Sequence, residues 1–572
     1  MTSSPSFWVQ SIVRTICLGG LVGAVSIGLA ADAPPKVEKA AKKATVIANA
    51  PKPMAPGAKL SPAELAKRID GHVGALLSQD NFVPSPQCSD AEFCRRVHLD
   101  LTGKIPTAQE ALSFLEDKSP TKRETLVDKL LASKGYARHM ADLWQALMMP
   151  PSIENRRLEA EPLVKWLEKA FSENKHWDDL TREVLTASGP QDQNGATTYF
   201  LANSSLDKLT DSVCKLFMGV QLQCAQCHNH PFNPQWKQDD YWHTAAFFIK
   251  VKAQPPRNNK DTRVPTVAEN NQPPNKKLLP ESTKKLPPKF PAGEKPTLAT
   301  KEPYRPAFAK WITADANPFF AKAAVNRVWA QMFGRGLVHP IDDIQDGNPP
   351  SHPGLFEDLA AQFKANHYDL HHLLKSICLS ETYQRTSKPY QGNEKASSHY
   401  LARMPVKVLS PEQMFDSLSD LFTPAAASPA PSQDVAKADK TETKADKKAE
   451  KKANKIPAKP GSAQRNQFLA FFRGEDGADQ TEYQSGIPQV LRLMNSPQLN
   501  SPAILRNLDP RASASANIDT LFLAILGRKP TQAEAAKMRE LVVKADKPMD
   551  KRQAYADICW VLLNTSEFAL NH

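Results

Sequence analysis

The sequence predicts an all-α protein with little or no sheet, built from two helical domains that a Pro/Lys-rich linker joins. Apolar residues recur at spacings of three and four through most of the chain, as in Leu163, Leu167 and Phe171, which is the period of an amphipathic helix. Strict alternation of apolar and polar residues over the length of a strand is hard to find. Both observations favour helices on either side of the linker.

Helix starts are marked by capping boxes, in which a Ser or Thr side chain and a Glu or Gln three residues later satisfy each other's backbone amides. The signature occurs at Ser61 with Glu64, Thr107 with Glu110, Thr121 with Glu124, Ser410 with Gln413, and Thr531 with Glu534. Two of these boxes follow a glycine and a proline, at Gly103-Lys104-Ile105-Pro106 and at Gly527-Arg528-Lys529-Pro530. Each of these stretches predicts a helix stop, a turn and a new helix.

Composition divides the chain into segments. The predicted segments are a signal peptide (1–30), a disordered Ala/Lys/Pro tether (31–60), a first helical domain (61–252), a Pro/Lys-rich linker (253–296), and a second helical domain (297–572) with a low-complexity insertion (425–462). The tether and the insertion contain few large apolar residues, so neither can support a core of its own.

The N-terminus predicts export. Residues 16–30 form an apolar run of about 15 residues after a weakly basic start, ending in Gly28-Leu29-Ala30 with small residues at Gly28 and Ala30, which is typical of a secretory signal peptide. A membrane-spanning helix needs roughly 20 apolar residues, and no later segment offers them. We therefore expect cleavage after Ala30 and a mature chain without a transmembrane span, located in the periplasm or at the cell surface.

Charge and motifs exclude several functional classes. The net charge of +12 comes from 73 Lys and Arg against 61 Asp and Glu, but many lysines lie in the low-complexity tracts and no basic stripe carries interleaved aromatics, so no nucleic-acid partner is expected. Gly334-x-Gly336 lacks the third glycine of a dinucleotide-binding loop. No nucleophile elbow, phosphate loop or zinc-protease helix is present, so the sequence gives no signature of a hydrolase, a transferase or a nucleotide-binding enzyme.

The motif that carries chemistry is Cys224-Ala225-Gln226-Cys227-His228. The spacing C-x-x-C-H is that of covalent haem c attachment, in which two thiols bind the vinyl groups and the histidine is the proximal iron ligand. Met218 and His243 are candidates for the second axial ligand. The nearby aromatic residues would line a porphyrin pocket or form ordinary core; they are Phe217, Phe232, Trp236, Tyr241, Trp242, Phe247 and Phe248.

Two other interpretations of the motif stay open. Cys224 and Cys227 could form a redox or structural disulfide, or they could bind zinc together with His228 and with His230 as a further ligand. Apart from the motif, Cys88 and Cys94 are close in sequence and predict a disulfide that closes a short loop in an oxidising compartment.

The motif, the Ala245-Ala246-Phe247-Phe248 stretch and the 326–353 region together resemble a known family. They are similar to exported two-domain proteins of Planctomycetes, in which a cytochrome-c-like domain of unknown function (PSCyt) precedes a planctomycete surface domain (PSD). Leu99-Asp100-Leu101-Thr102-Gly103 resembles the opening of the family, and residues 562–572 resemble its usual C-terminus. The resemblance implies a cytochrome-like first domain and a location at the cell surface, but it implies no established activity.

Two functions follow. One is an exported protein with a single haem c that transfers electrons at the cell envelope, to a redox partner or envelope component that the sequence does not specify. The other is a cell-surface structural or interaction protein, in which the cysteine pair is a disulfide or part of a Cys/His metal site, with zinc or no cofactor.

Overall fold

The computed structural model of the chain describes residues 50–55, 57–149, 158–255, 263–269, 286–291, 293–299, 301–422, 465, 468–469, 508, 511–545 and 547–572. The predicted signal peptide, the insertion at 425–462 and most of the predicted tether lie outside these residues. All described residues fall within one compact unit, 47–572.

Helices account for most of the described chain, so the predicted mainly helical fold is confirmed. Those before residue 253 are α1 (Pro62–Gln79), α2 (Asp90–Thr102), α3 (Ala108–Glu116), α4 (Lys122–Leu131), α5 (Lys134–Met148), α6 (Glu161–Ser172), α7 (Trp177–Thr186), α8 (Thr198–Ala202), α9 (Leu206–Val213) and α10 (Gln238–Ala245). Those after it are α11 (Arg305–Ile312), α12 (Phe320–Phe333), α13 (Pro353–Ala365), α14 (Leu370–Leu379), α15 (Glu381–Gln384), α16 (Pro411–Phe422), α17 (Ala514–Leu526), α18 (Gln532–Val543), α19 (Pro548–Leu563) and α20 (Ser566–Ala569).

Two small antiparallel sheets accompany the helices. The strands are β1 (Gly189–Pro190), β2 (Val251–Gln254), β3 (Thr266–Glu269), β4 (Lys407–Val408) and β5 (Leu570–Asn571). Strand β3 lies between β1 and β2, with Gly189 opposite Val267 and Val251 opposite Glu269, while β4 pairs with β5. Among the helices that the structure describes, none combines the length and apolar character needed to cross a bilayer.

Four of the five predicted capping boxes form. Reciprocal side-chain and backbone hydrogen bonds join the paired residues at the starts of α1, α3, α16 and α18. The exception is Thr121, whose side chain makes no capping bond to α4. Its hydroxyl instead lies 3.0 Å from that of Ser119, and Glu124 pairs with Lys375 at 3.0 Å. Long-range pairing has therefore replaced the local cap.

Two glycines end helices as the sequence predicts. Gly103 ends α2 with φ +70° and Gly527 ends α17 with φ +72°. This left-handed conformation is one that side chains with a Cβ rarely adopt. Each glycine is followed by the proline turn and capped helix expected from the sequence, at α3 and α18.

The described part of the predicted linker is folded. Strand β3 is the centre of the three-stranded sheet, and its Val267 is buried. Phe290, from the same stretch, stacks between Phe247 at 5.1 Å and Trp311 at 5.0 Å between ring centroids. These contacts tie the segment to helices on both sides, although its proline and lysine content predicts a linker.

One hydrophobic core extends across both predicted domains. It includes Leu65 and Phe200 from the first and Phe320 and Leu373 from the second. A backbone hydrogen bond of 3.0 Å from the Trp177 amide to the Tyr368 carbonyl also joins the two predicted domains. The segment 253–296 thus separates two parts of the chain that share a core, and the division into domains stays a prediction from sequence.

Helix α2 connects two hydrophobic cores of the fold, because it contributes buried side chains to both. Its Phe93 and Val97 belong to the core just described, whereas Leu99 belongs to a second one formed mainly by α16, α17 and α19. The buried Arg95 donates to the carbonyls of Ile525 at 3.0 Å and Phe568 at 2.8 Å. The C-terminal helices are therefore fixed to a helix near the start of the chain.

Acidification is expected to destabilise the fold through His139 in α5. Burial lowers the pKa of its imidazole to about 4 in the folded state, against about 6.5 in an unfolded chain. The unfolded state then binds more protons between these values, so the free energy of unfolding falls as the pH drops from 6.5 towards 4. We expect His139→Gln to show a shallower loss of stability over this range in urea denaturation.

His228→Gln is the matched control, because His228 is exposed to solvent. It should keep the wild-type dependence of stability on pH. Identical pH dependence in His139→Gln and the wild type would contradict the assignment to His139.

Candidate functional site

The C-x-x-C-H motif follows a glycine that allows close packing. A π-helical turn, Cys214–Met218, ends at Gly219, which has φ +65°. The carbonyl of Gly219 accepts a hydrogen bond of 2.9 Å from the Ile344 amide, and a Cβ on Gly219 would lie 2.6 Å from Ile344 Cδ1. A glycine is therefore needed where the motif region meets loop 341–350 of the second half of the chain.

The motif itself presents its thiols to solvent. The first cysteine lies in a 3-10 turn, Gln223–Gln226, and the second follows directly after it. Ala225 is buried, whereas Cys224 and Cys227 are exposed free thiols. Burial of the intervening alanine orients the turn, because the only apolar side chain within the spacer enters the core. The two sulfur atoms are thereby left accessible from outside the protein.

Helix α10 holds the motif in place. The Gln238 side-chain amide donates to the carbonyls of Gln226 at 3.1 Å and Cys227 at 2.9 Å. The Trp242 indole also donates to the Gln226 carbonyl, at 3.0 Å. Three hydrogen bonds from one helix therefore fix the backbone around the second cysteine.

His228 is arranged as a metal ligand would be. Its Nδ1 lies 2.7 Å from the Asn229 carbonyl oxygen, and because a carbonyl can only accept, Nδ1 must carry the proton. In the neutral ring this leaves the lone pair on Nε2, which is the tautomer found in most metal-bound histidines. The exposed ring can therefore offer Nε2 to an iron atom.

His230 has the opposite tautomer. Its Nδ1 accepts hydrogen bonds from the backbone amides of Phe232 at 3.3 Å and Asn233 at 2.9 Å. Nε2 then carries the proton in the neutral ring and has no lone pair to donate. His230 is thus a loop-stabilising residue as placed, which argues against its predicted role as a further metal ligand.

The candidates for a second axial ligand differ in chemistry. Met218 is fully buried in the core within the π-helical turn. His243 places Nδ1 2.6 Å from the Pro287 carbonyl oxygen, so its Nε2 keeps a lone pair as that of His228 does. Of these two residues, only His243 is partly exposed with a suitable nitrogen atom.

The aromatic residues near the motif form core. All but one of them are buried, and they pack in the core shared by the two halves; these are Phe217, Trp236, Tyr241, Trp242, Phe247 and Phe248. Phe232 is the exception, with 81% of its surface exposed. A porphyrin attached to the thiols would therefore rest on the outer surface of this core, because the six rings themselves are buried in it.

The other sequence-predicted cysteine pair is not bonded. Cys88 and Cys94 are separate buried thiols, and Cys94 lies within α2, where its sulfur is 3.7 Å from His98 Nδ1. The sulfur of Cys88 instead lies 3.8 Å from Arg96 Nη1. Burial raises the pKa of both thiols, that of Cys94 to about 12, so both remain protonated at neutral pH.

A different group of side chains, which the sequence did not predict as a site, could together bind a metal ion. Among the described residues, only His176, Asp178 and Asp179 bring ligand atoms within 4.8 Å of one another. The sequence pattern that could have indicated this group is a histidine followed closely by two acidic residues at the start of α7. Arg182 donates to both carboxylates, at 2.8 Å to Asp178, so this cluster is ion-paired internally.

Comparison with known families identifies the chain. The profile of PSCyt2, described as a protein of unknown function (DUF1549), matches residues 68–253. The profile of PSD1, also a protein of unknown function (DUF1553), follows at residues 304–542. The chain belongs to the PSCyt2–PSD1 family. The C-x-x-C-H motif lies within the PSCyt2 match, and the loop that contacts Gly219 lies within PSD1.

No curated protein and no solved structure shows a significant match to this PSCyt2–PSD1 chain. The two successive matches agree with the two-domain family that the sequence resembles, but they bring no activity with them.

Proposed function

We propose that this PSCyt2–PSD1 protein is exported, carries one haem c on Cys224 and Cys227, and transfers electrons at the cell envelope. The observation that carries the proposal is the 2.7 Å contact of His228 Nδ1 with the Asn229 carbonyl oxygen, which leaves the Nε2 lone pair of this exposed ring free, next in sequence to two exposed thiols. Such an arrangement suits thioether attachment with His228 as the proximal ligand.

Attachment of haem to the two cysteines would need no oxidant. Each thiol would add its sulfur to one carbon of a vinyl group and its hydrogen to the other carbon, so one S–C bond forms and no electrons are lost. The hydrogen bonds from Gln238 and Trp242 would keep the second cysteine in register during this addition. When bound, the haem would supply one-electron redox chemistry.

The structure gives less support to a zinc site at the same residues. Structural zinc needs four converging ligands, usually thiolates and histidines. Cys224, Cys227 and His228 are outside the one group of described residues whose ligand atoms lie within 4.8 Å of one another. His230, the fourth ligand in that interpretation, uses its Nδ1 to accept backbone hydrogen bonds.

The predicted export of the chain supports the proposal, because haem c attachment takes place outside the cytoplasm. The apolar run at 16–30 and the small residues near its end indicate a signal peptide. The intact mass of protein purified from its natural envelope should correspond to a chain beginning near Ala31. A mass that retains residues 1–30 would contradict export by this route.

The test of haem attachment is expression of the full chain in a host that matures c-type cytochromes. We expect a Soret band that persists in denaturant and a haem-stained band on a denaturing gel, because thioether bonds survive unfolding. The double variant Cys224→Ala/Cys227→Ala should lose both signals completely. Cys88→Ala is the matched control and should keep both signals, because it removes a thiol that contacts Arg96 and Arg123 and is not part of the motif.

The histidines provide a second, spectroscopic test. His228→Gln should shift the Soret band of the attached haem, whereas His230→Gln should leave it unchanged, because only His228 offers an Nε2 lone pair. A colourless wild type with Cys224 and Cys227 joined by a disulfide, or bound to zinc, would overturn the proposal. The surface-protein function predicted as the alternative would then take its place.

A further inference from the structure

The turn between α18 and α19 is the end of a helical hairpin. Helix α18 ends at Val543 and α19 begins at Pro548, and the two helices pack against each other. A connection this short makes consecutive helices antiparallel neighbours. Val542 and Ile558 anchor the hairpin in the second hydrophobic core. We call residues 543–552 the hairpin tip; of these, residue 546 lies outside the described residues.

Two large apolar side chains at the tip face solvent. Val543 is 72% exposed, although its neighbour Val542 is buried, and Met549 is 77% exposed. Among the described residues, only Phe232 is a large apolar residue with a greater exposed fraction, and the other exposed ones reach 50% at most. Single exposed apolar residues are ordinary on protein surfaces. A pair of them on one turn indicates a surface that contacts an apolar phase.

Basic side chains surround this pair. Lys547, Lys551 and Arg552 are exposed, and none of them forms an ion pair with another described residue. Lys544 is exposed as well and pairs with Glu540 at 2.7 Å. Over the whole tip, four basic residues stand against two acidic ones. The tip therefore combines apolar side chains with an excess of positive charge.

We propose that the hairpin tip docks on an anionic lipid surface, with Val543 and Met549 entering the boundary between headgroups and acyl chains. The basic side chains would contact lipid phosphates, since long lysine and arginine stems reach from an apolar depth to the headgroup level. An anionic polymer would pair with the cations but offers no apolar phase to Met549. A second copy of the chain would bring like charges together at the tip, which opposes association.

Such docking would be peripheral and reversible. Each cation close to an anionic lipid surface strengthens binding about fivefold, and two apolar side chains add contact without spanning the bilayer. None of the tip residues belongs to the C-x-x-C-H motif. Docking and haem attachment are therefore separate properties, and the Cys224→Ala/Cys227→Ala variant should bind vesicles like the wild type.

The test is co-sedimentation of the full chain, as the host secretes it, with two kinds of vesicle. One kind contains phosphatidylglycerol and phosphatidylcholine in equal parts, and the other contains phosphatidylcholine alone. We expect saturable binding to the anionic vesicles and little to the neutral ones. Val543→Thr/Met549→Gln should weaken binding about tenfold through lost apolar contact, and Lys551→Gln about fivefold through lost charge.

Phe232→Gln and Lys118→Gln are the matched controls. They remove an exposed apolar side chain and an exposed basic side chain outside the tip. Both should bind the anionic vesicles like the wild type, because the tip and the Lys-rich tracts of the chain are unchanged. Every substituted residue is exposed, so the thermal unfolding midpoints of all four variants should equal that of the wild type.

Salt separates insertion from attraction between charges alone. In about 1 M salt, charges are screened beyond about 3 Å, so the wild type should keep part of its binding while Val543→Thr/Met549→Gln loses it. Equal binding by the tip variants and the controls would overturn the proposal. Complete release of the wild type by salt, or its equal retention by dextran sulfate beads, would show attraction to any polyanion instead. A dimer that requires Met549, without vesicle binding, would assign the tip to a second copy of the chain.

Discussion

Asp100→Asn is expected to lower the free energy of unfolding by about 3–5 kcal/mol, the cost of leaving a buried charge without its partner. Asp100 is 3% exposed and lies on α2, the helix that contributes to both hydrophobic cores. Its carboxylate accepts hydrogen bonds from Lys407 at 2.6 Å, Tyr383 at 2.7 Å and Asn571 at 2.7 Å. The substitution removes the negative charge while the Lys407 ammonium stays in place.

The measurement is urea denaturation of Asp100→Asn beside Asp420→Asn. Asp420 also pairs with a lysine, Lys104 at 2.9 Å, but both side chains are substantially exposed. Solvent screens such a pair, so its loss should cost no more than about 1 kcal/mol. Equal midpoints for the two variants would show that the Asp100 network contributes no more than a surface ion pair.

A double variant separates the pair from its surroundings. Adding Lys407→Met to Asp100→Asn should recover part of the lost stability, because the unpaired ammonium is removed as well. A further loss in the double variant would indicate that the bonds from Lys407 to the carbonyls of Gln331 and Met332 matter more than its charge.

Gly195→Ala is expected to cost at least about 3 kcal/mol, at the upper end for overpacking. Gly195 begins the 3-10 turn Gly195–Thr197, which packs against α6. A Cβ there would overlap the carbonyl oxygen of Pro162 and come within 2.9 Å of Trp166 Cβ. A backbone carbonyl cannot turn away as a flexible side chain can, so the helix itself would have to shift.

Gly74→Ala is also a glycine-to-alanine substitution, but it is expected to have the opposite effect on stability. Gly74 lies inside α1, and a Cβ would meet nothing within 4 Å. Alanine is the better helix former by about 0.5–1 kcal/mol, so this variant should be slightly more stable than the wild type. Thermal unfolding of both variants decides the comparison, and a Gly195→Ala midpoint near that of the wild type would contradict the predicted overlap.

The sequence by itself determined the helical fold, many helix ends and the motif. Capping boxes such as Ser61 with Glu64 and glycine stops such as Gly103 formed as predicted. These signals depend on residues within a few positions of one another, and their hydrogen bonds form wherever the helix packs. Thr121 is the exception, because Glu124 forms an ion pair with Lys375 from a distant part of the chain and the local cap does not form.

Tertiary structure alone decided what each candidate side chain can do. His228 and His230 are both candidate ligands in the sequence, yet one donates from Nδ1 to a carbonyl and the other accepts at Nδ1 from two amides. The segment 253–296 looks like a linker, but Val267 and Phe290 bury apolar surface against both halves. The proton positions depend on the conformation of the loop, since both histidines bond to residues within three positions. Burial of Val267 and stacking of Phe290 depend on residues remote along the chain, which only folding brings into contact.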